Sequence, residues 1–183
     1  MTTEWPYLAA VDSGGAKHLV PGLAMPAIAL PATDGTQIDL STKAGLSVLF
    51  VYPWTGRAGL PNPPRWDDIP GAHGSTPEAE GFRDRHAEFK ALGATIFGLS
   101  SQDTAHQSEL AARLALPFRI LSDRDFRFAD ALQLPRFKAG GKTYLERLTL
   151  VVRDGRLERL FYPVPVPPGH AAEVLAALKA SRS

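Results

Sequence analysis

The sequence contains no cysteine among its 183 residues. This absence excludes disulfide bonds, thiolate metal sites and thiol catalysis, so any chemistry must come from oxygen and nitrogen groups. An excess of one charge sign is also missing, since 20 Lys and Arg residues are matched by 19 Asp and Glu residues and leave a net charge of +1. Such a balance argues against binding to nucleic acid or to an anionic membrane surface.

Long hydrophobic runs are missing as well. No apolar run approaches the roughly 18 to 20 residues that a membrane-spanning helix needs. The first residues, Met1 to Pro6, show neither the basic stretch nor the apolar core of a secretory signal. We therefore expect a soluble protein of the cytoplasm. A length of 183 residues, 44% of them hydrophobic, suits one globular domain and is too short for two large ones.

The order of apolar patterns predicts an α/β fold. Residues 1–22 show no sustained period and are expected to form an N-terminal arm, whereas residues 23–183 are expected to form one domain. The elements expected in that domain are a hairpin over 27–40, a strand over 47–52, a helix over 76–92, a strand over 94–99, a helix from Thr104, a strand over 119–121, a short helix over 126–132, a hairpin over 145–162 and a helix over 169–179. This order indicates a mixed central sheet with helices on both faces and antiparallel strands on one side.

Two loops interrupt this pattern. The stretch 54–74 is rich in Pro and Gly and is long for a connection in a compact domain, which is typical of functional loops. Trp54 at its start is expected to bury its ring and anchor the loop. The stretch 136–143 is basic and contains glycine, and we expect it to form a second loop.

The start of the helix over 76–92 carries a Ser-x-x-Glu pattern. Ser75 and Glu78 fit a capping box, in which the serine caps the helix and the glutamate bonds back to it. An alternative is a serine hydrolase with Ser75 as nucleophile and one histidine as base, the candidates being His73, His86 and His106. The residues around Ser75 lack the Gly-x-Ser-x-Gly turn of that class, which favours the cap.

Six short segments together resemble a known family. They are Phe50 to Pro53, Gly74 to Asp84, Phe97 to Ser100, Leu121 to Asp123, Gly141 to Thr149 and Val152 to Gly155. In this order and spacing they resemble the peroxiredoxins, in particular the Q-type (bacterioferritin comigratory protein) branch of the alkyl hydroperoxide reductase and thiol-specific antioxidant family. The resemblance covers most of the chain and implies a thioredoxin-like fold, which agrees with the expected element order.

The resemblance also implies the positions of functional residues. In that family a cysteine at a helix start attacks a hydroperoxide and becomes a sulfenic acid, which a second cysteine or an outside thiol resolves. Ser75 matches the attacking position, and Glu80 matches the position where some Q-type members keep a resolving cysteine. Arg147 matches the arginine that supports the thiolate and polarises the peroxide. We expect Arg147 in the middle of a strand, facing either the pocket or solvent at the sheet edge.

The family's active-site threonine is harder to place. Thr55, which follows Pro53 closely, takes its place by order along the chain. In the usual family motif, however, this threonine precedes the attacking residue by three, and that position here is Ala72. The candidate pocket therefore consists of Pro53, Thr55, Ser75 and Arg147.

Serine at the attacking position closes the family reaction to this chain. A hydroxyl has no thiolate-like state at neutral pH and cannot be oxidised to a sulfenic acid, so we expect no peroxidase activity. No metal site is expected, because the histidines and carboxylates lack ligand spacing. The resemblance also implies a reaction without metal, flavin or haem. Two origins stay open: a natural pseudo-enzyme, or an engineered Cys-to-Ser form of a peroxidase that uses an external thiol reductant.

A second class of function also fits the sequence. A non-catalytic binding module would use the helix start and Arg147 to hold a small polar or anionic ligand, or the 54–74 loop to contact a partner protein. The expected partners are thus a hydroperoxide or small anion, and a thiol reductant where the parent carries cysteine. We expect a monomer or a homodimer, with no nucleic acid and no membrane as partner.

Overall fold

The computed structural model describes residues 4–182. Its strands are β1 (Ala29–Pro31), β2 (Gln37–Asp39), β3 (Leu46–Val51), β4 (Ala94–Ser100), β5 (Arg119–Ser122), β6 (Arg136–Ala139), β7 (Lys142–Leu145), β8 (Leu148–Arg153) and β9 (Arg156–Phe161). Its helices are α1 (Ser75–Asp84), α2 (His86–Ala91), α3 (Thr104–Arg113), α4 (Arg127–Leu132) and α5 (Pro167–Ala180), with a 3-10 turn over Trp66–Asp68. Within residues 4–182, no helix is both long enough and apolar enough to cross a membrane.

The centre of the fold is a five-stranded mixed sheet with the order β5-β4-β3-β8-β9. Strands β3, β4 and β5 run parallel and are linked by helical crossovers. Strands β8 and β9 pair antiparallel through the turn at Asp154-Gly155, and β8 also pairs antiparallel with β3. The predicted mixed sheet, with its antiparallel strands on one side, is therefore confirmed.

Alternating side chains of β3 divide the core into two clusters. Val48 and Phe50 belong to the cluster that α1, α2, α3 and α5 cover, whereas Leu49 and Val51 belong to the cluster on the opposite face. Helix α4 and the β1–β2 hairpin supply side chains to that second cluster. Burial on both faces explains why β3 is apolar throughout, and it confirms that helices cover both sides of the sheet.

Two predicted elements are wrong in detail. The helix expected over 76–92 is interrupted at Arg85, whose φ of −107° and ψ of 9° separate α1 from α2. The segment 136–143 is part of a two-stranded hairpin, β6–β7, in which Phe137 pairs with Tyr144. Its turn is Gly140-Gly141, and both glycines have positive φ, which is the backbone geometry that tight hairpin turns require.

The segment before residue 23 lies on the domain. Ala16 and Leu19 are each 4% exposed and pack in the same cluster as α4. His18 Nε2 lies 2.8 Å from the carbonyl oxygen of Leu132, and the Gly22 amide donates to the carbonyl of Leu157 at 2.7 Å. The N-terminal residues thus contact the sheet and its helices through both apolar and polar groups.

Candidate active site

Helix α1 begins at Ser75, directly after the long 54–74 loop. Its N-cap is Gly74, whose φ of 113° lies in the region that favours glycine, and a Cβ at this position would stand 2.6 Å from Pro167. The predicted capping box is wrong, because neither the serine nor the glutamate side chain caps the helix. The Glu78 amide instead bonds to the Gly74 carbonyl at 3.0 Å, which leaves both side chains available to another partner.

That partner is Arg147, which is 3% exposed and lies just before β8 rather than in the middle of a strand. Its Nη2 donates to Ser75 Oγ at 3.1 Å. The same nitrogen donates to three backbone carbonyls of the preceding loop, those of Gly71 (3.4 Å), Ala72 (3.3 Å) and His73 (3.1 Å). The arginine is therefore directed toward Ser75 and not toward solvent, and it ties residue 75 to the loop that leads into α1.

Glu78 completes this buried group, and sequence reasoning missed its role. Its Oε2 accepts a hydrogen bond from Arg147 Nη1 at 2.5 Å, and its side chain is fully buried. Burial raises the pKa of Glu78 to about 7, although the charge and the hydrogen bond of Arg147 act in the opposite direction. The sequence did hold a signal for this role. Glu78 lies four residues before Phe82, so both side chains share the buried face of the helix, and a charged group there needs a partner.

A cavity of about 260 Å³ opens in front of Ser75 and contains Thr55 in its wall. The Thr55 hydroxyl lies 3.2 Å from Gln102 Oε1, which also accepts from the Thr55 amide at 3.1 Å. The Thr55 carbonyl in turn accepts from Gln102 Nε2 at 3.0 Å. Ser75 and Thr55, which are distant in sequence, are therefore brought to one cavity, and Gln102 holds the threonine in place.

The other two predicted site residues lie further from this cavity. Pro53 is buried at the end of β3, one residue before Trp54, which does line the cavity. Glu80 lies on α1, where its side chain is 41% exposed and forms an ion pair with Arg83 at 3.8 Å. Pro53 thus neighbours a cavity residue without lining the cavity itself, and Glu80 stands on the solvent side of the helix.

Aromatic side chains form much of the cavity wall. Trp54 is partly buried and meets Trp66 edge to face, with ring centroids 5.5 Å apart, so it packs against its own loop as expected. Trp5 and Tyr7 line the same cavity from the N-terminal segment. Sequence reasoning did not find these two residues, because the first 22 residues show no periodicity from which a docking face could be read.

The geometry does not support the serine hydrolase alternative. The hydrogen bond that reaches Ser75 Oγ in residues 4–182 comes from Arg147, which is always charged and cannot act as a base. His73 Nε2 lies 2.6 Å from Asp67, and His106 Nε2 lies 2.7 Å from the Thr55 carbonyl. Each of these histidines therefore has a partner other than the serine.

The arrangement favours negative charge at residue 75. The first backbone amides of α1 have no partner within the helix, and their dipoles point toward anions. Arg147 adds a full positive charge at 3.1 Å from the Ser75 side chain. Such surroundings lower the pKa of a thiol into the physiological range, whereas a serine hydroxyl stays protonated there.

Comparison with known proteins agrees with this geometry. The Redoxin family model matches residues 21–178. Peroxiredoxin Bcp of Bacillus subtilis is 32% identical over 163 residues, which are 86% of this chain and 94% of that protein. Both sequences therefore align over nearly their whole length.

Solved structures give the same result. The peroxidoxin BcpB structure from Mycobacterium tuberculosis matches with a TM-score of 0.71 and 28% identity, over 91% of this chain and 100% of that chain. A cysteine-to-serine mutant of peroxiredoxin Q from Xanthomonas campestris matches with a TM-score of 0.70 and 27% identity, over 89% and 99%. The predicted thioredoxin-like fold is thereby confirmed. The chain belongs to the redoxin family, as a cysteine-free relative of the Bcp and Q-type peroxiredoxins.

Proposed function

We propose that this chain keeps the hydroperoxide pocket of the peroxiredoxins but binds its ligand without reducing it. Ser75 stands at the attacking position, and the ligand is a hydroperoxide or another small anion. The observation that supports this most directly is the 3.1 Å contact between Arg147 Nη2 and Ser75 Oγ at the first residue of α1. Thr55 in the same cavity is proposed as the second polar contact for the ligand.

The family chemistry explains why sulfur is required. A thiolate attacks one peroxide oxygen, the O–O bond breaks, and the leaving alkoxide takes a proton to become an alcohol or water. The sulfur becomes a sulfenic acid, which two equivalents of an external thiol return to the thiol with release of water and a disulfide. Oxygen at residue 75 has no equivalent oxidised state, so the cycle stops at binding.

Restoring the sulfur tests this proposal. Ser75→Cys should consume hydrogen peroxide or an organic hydroperoxide in the presence of a thiol reductant, whereas the unchanged chain should not. A pKa lowered from about 8.5 to about 7 raises the thiolate fraction at neutral pH more than tenfold. The less basic thiolate is intrinsically less nucleophilic, so the variant should react about threefold faster than an ordinary exposed thiol. Peroxide loss and reductant oxidation would be followed together.

Ser122→Cys is the matched control, because Ser122 and Ser75 are each 4% exposed and Ser122 lies at the end of β5, away from α1. It should show no thiol-dependent turnover. If a folded Ser75→Cys variant turns over no faster than this control, the pocket does not activate a thiol toward peroxide. The non-catalytic binding module then explains the pocket better than a peroxidase ancestry does. That outcome would leave the anion-favouring helix start and Arg147 as a site for a non-peroxide ligand.

Three further features remain predictions. An external thiol is proposed as the reductant of a cysteine-bearing form, because Glu80 occupies the position of a resolving cysteine. A cytoplasmic location and a monomeric or homodimeric state are likewise expectations from the sequence. Localisation of a tagged chain tests the cytoplasmic location, and light scattering in solution tests the oligomeric state.

A further inference from the structure

The walls of the Ser75 cavity include residues from outside the segment that matches the family. The family match begins at residue 21, whereas Trp5 and Tyr7 lie well before it and line the cavity together with Ser75 and Thr55. The family resemblance assigns no role to them. Their position in the cavity wall therefore calls for an explanation from this chain alone.

Ring stacking holds the two side chains in place. The Tyr7 ring is stacked on His73, with centroids 3.9 Å apart and an interplanar angle of 12°. Trp5 meets Tyr7 edge to face at 5.1 Å. His73 is itself fixed by its 2.6 Å contact with Asp67, so the stack rests on the loop that leads into Ser75.

Backbone contacts hold the same segment against that loop. The Gly71 amide donates to the Leu8 carbonyl at 3.0 Å, and a Cβ at Gly71 would stand 2.7 Å from the Cβ of Ala10. Further along, the Ser13 amide donates to the Tyr162 hydroxyl at 3.0 Å. The segment is therefore attached at two points on either side of Ala10.

These contacts are few and lie at the surface. Tyr7 is 43% exposed and Leu8 is 51% exposed. A segment with little buried apolar area and solvent-exposed hydrogen bonds opens at a lower free energy than the core. Arg147 keeps its own hydrogen bonds to the Gly71 and Ala72 carbonyls and to Ser75, and none of these bonds involves residues 5–13.

We propose that residues 5–13 form a cover over the cavity, in which Trp5 and Tyr7 limit the size of the molecules that reach residue 75. Small hydroperoxides pass the closed cover, and larger molecules require it to open. The inference rests on the proposed function in taking residue 75 as the position that ligands approach. It makes Trp5 and Tyr7 specificity-determining residues of the pocket.

The cysteine-free sequence allows a clean test, because Ser75→Cys introduces the only thiol. Its alkylation by iodoacetamide, a small reagent, would be compared with alkylation by a maleimide that carries a bulky biotin–polyethylene glycol group. Adding Tyr7→Ala should accelerate the bulky reagent about 3- to 10-fold, the shift in an opening equilibrium that one lost ring stack produces. The rate with iodoacetamide should change less than about twofold.

Two control variants distinguish opening of the cover from a general destabilisation of the N-terminal segment. Tyr7→Phe keeps the stacked ring and should keep the original ratio of the two rates. Val20→Ala changes an exposed residue, 52% accessible, in the same N-terminal region and should also keep it. Equal acceleration of both reagents by Tyr7→Ala, or no acceleration of the bulky one, would overturn the proposal.

A second measurement uses the chain with its own Ser75. Tyr7→Ala should speed hydrogen exchange at the Gly71 amide, which bonds to Leu8, but not at the β3 amides of the central sheet. Unchanged exchange at Gly71 would also count against the cover. Neither measurement involves peroxide, so a Ser75→Cys variant that is inactive toward peroxide but size-selective would overturn the proposed function and leave the cover standing.

Discussion

At the scale of single residues, Arg147 and Glu78 form a buried ion pair. Their side chains are 1% and 0% exposed, so neither charge is solvated by bulk water. In residues 4–182, Arg147 Nε and Glu78 Oε1 have no hydrogen-bond partner, so the Glu78 carboxylate depends on its one short contact with Arg147. Removing either partner would leave the other as an uncompensated buried charge.

Replacing this glutamate should therefore be costly. Glu78→Ala is expected to lower the free energy of unfolding by about 3 to 5 kcal/mol, because Arg147 is left buried and unpaired. Glu80→Ala, two residues along the same helix, removes an exposed ion pair and should change the stability by less than about 1 kcal/mol. Urea unfolding of the two variants at about pH 8, where the Glu78 carboxylate is mostly ionised, provides the measurement. A similar decrease in the free energy of unfolding for Glu78→Ala and Glu80→Ala would show that the buried ion pair stabilises the fold no more than the exposed one.

The roles of these residues were only partly predictable. The family resemblance places Ser75 and Arg147 correctly near one another, since their contact is 3.1 Å. Glu78 was assigned to a helix cap because the Ser-x-x-Glu pattern describes local geometry and carries no information about a partner 69 residues away. A capping motif and a buried ion pair use the same residue types, and only the tertiary contact distinguishes them.

At the scale of elements, the packing of α5 against α1 encloses a buried histidine. His170 on α5 is 1% exposed, and its Nε2 lies 2.7 Å from the Thr149 hydroxyl on β8. The rings of Phe82 and Phe161 meet it edge to face at 5.9 and 5.8 Å. Burial lowers the pKa of His170 to about 4, and the nearby charge of Arg147 acts in the same direction.

This burial predicts a loss of stability in acid. The unfolded histidine takes up its proton near pH 6.5 and the folded one only near pH 4, so between these values the unfolded chain binds more protons. Above about pH 6.5, His170 is neutral in both states and its burial costs no stability. As the pH falls from 6.5 to 4, the free energy of unfolding decreases by about 3 kcal/mol through this one group. His170→Gln should remove this dependence, as measured by urea unfolding from pH 4 to 7.

The quantity to follow is the difference in the free energy of unfolding between the parent chain and His170→Gln at each pH. The raised pKa of Glu78, about 7, makes the folded chain bind more protons between pH 4.5 and 7, which lowers stability as the pH rises. This dependence opposes that of His170 and is present in both proteins, so it cancels in the difference. A difference that does not vary with pH would show that His170 does not titrate as a buried neutral group.

Most elements were predictable because their patterns are local. The apolar run of β3, the apolar strand residues before and after the Asp154-Gly155 turn, and the spacing of the last helix each reflect burial that recurs along the chain. The break at Arg85 leaves Phe82 and Phe89 on one core face, so the apolar pattern continues across it. The β6–β7 hairpin has strands of four residues each, too short for a clear alternation.

At the scale of the whole molecule, one N-terminal segment protects both edges of the central sheet. On the β9 edge, the Leu157 amide donates to the Leu23 carbonyl at 2.8 Å. On the β5 edge, the Thr33 amide donates to the Ile120 carbonyl at 3.1 Å. Unpaired edge strands favour association with other chains, and residues 22–33 cover part of each edge strand. Composition alone could not have indicated that one segment reaches both edges.

The burial of Leu19 tests whether residues 1–22 behave as a separate arm. Leu19 is 4% exposed in the cluster beneath α4, whereas its neighbour Val20 is 52% exposed. If this segment is part of the folded core, Leu19→Ala should lower the free energy of unfolding by about 2 to 5 kcal/mol through lost burial and a cavity. Val20→Ala should change it by less than about 0.5 kcal/mol. A negligible effect of both substitutions in urea unfolding would instead support an arm that folds independently of the domain, because contacts made outside the cooperative unit do not contribute to its unfolding.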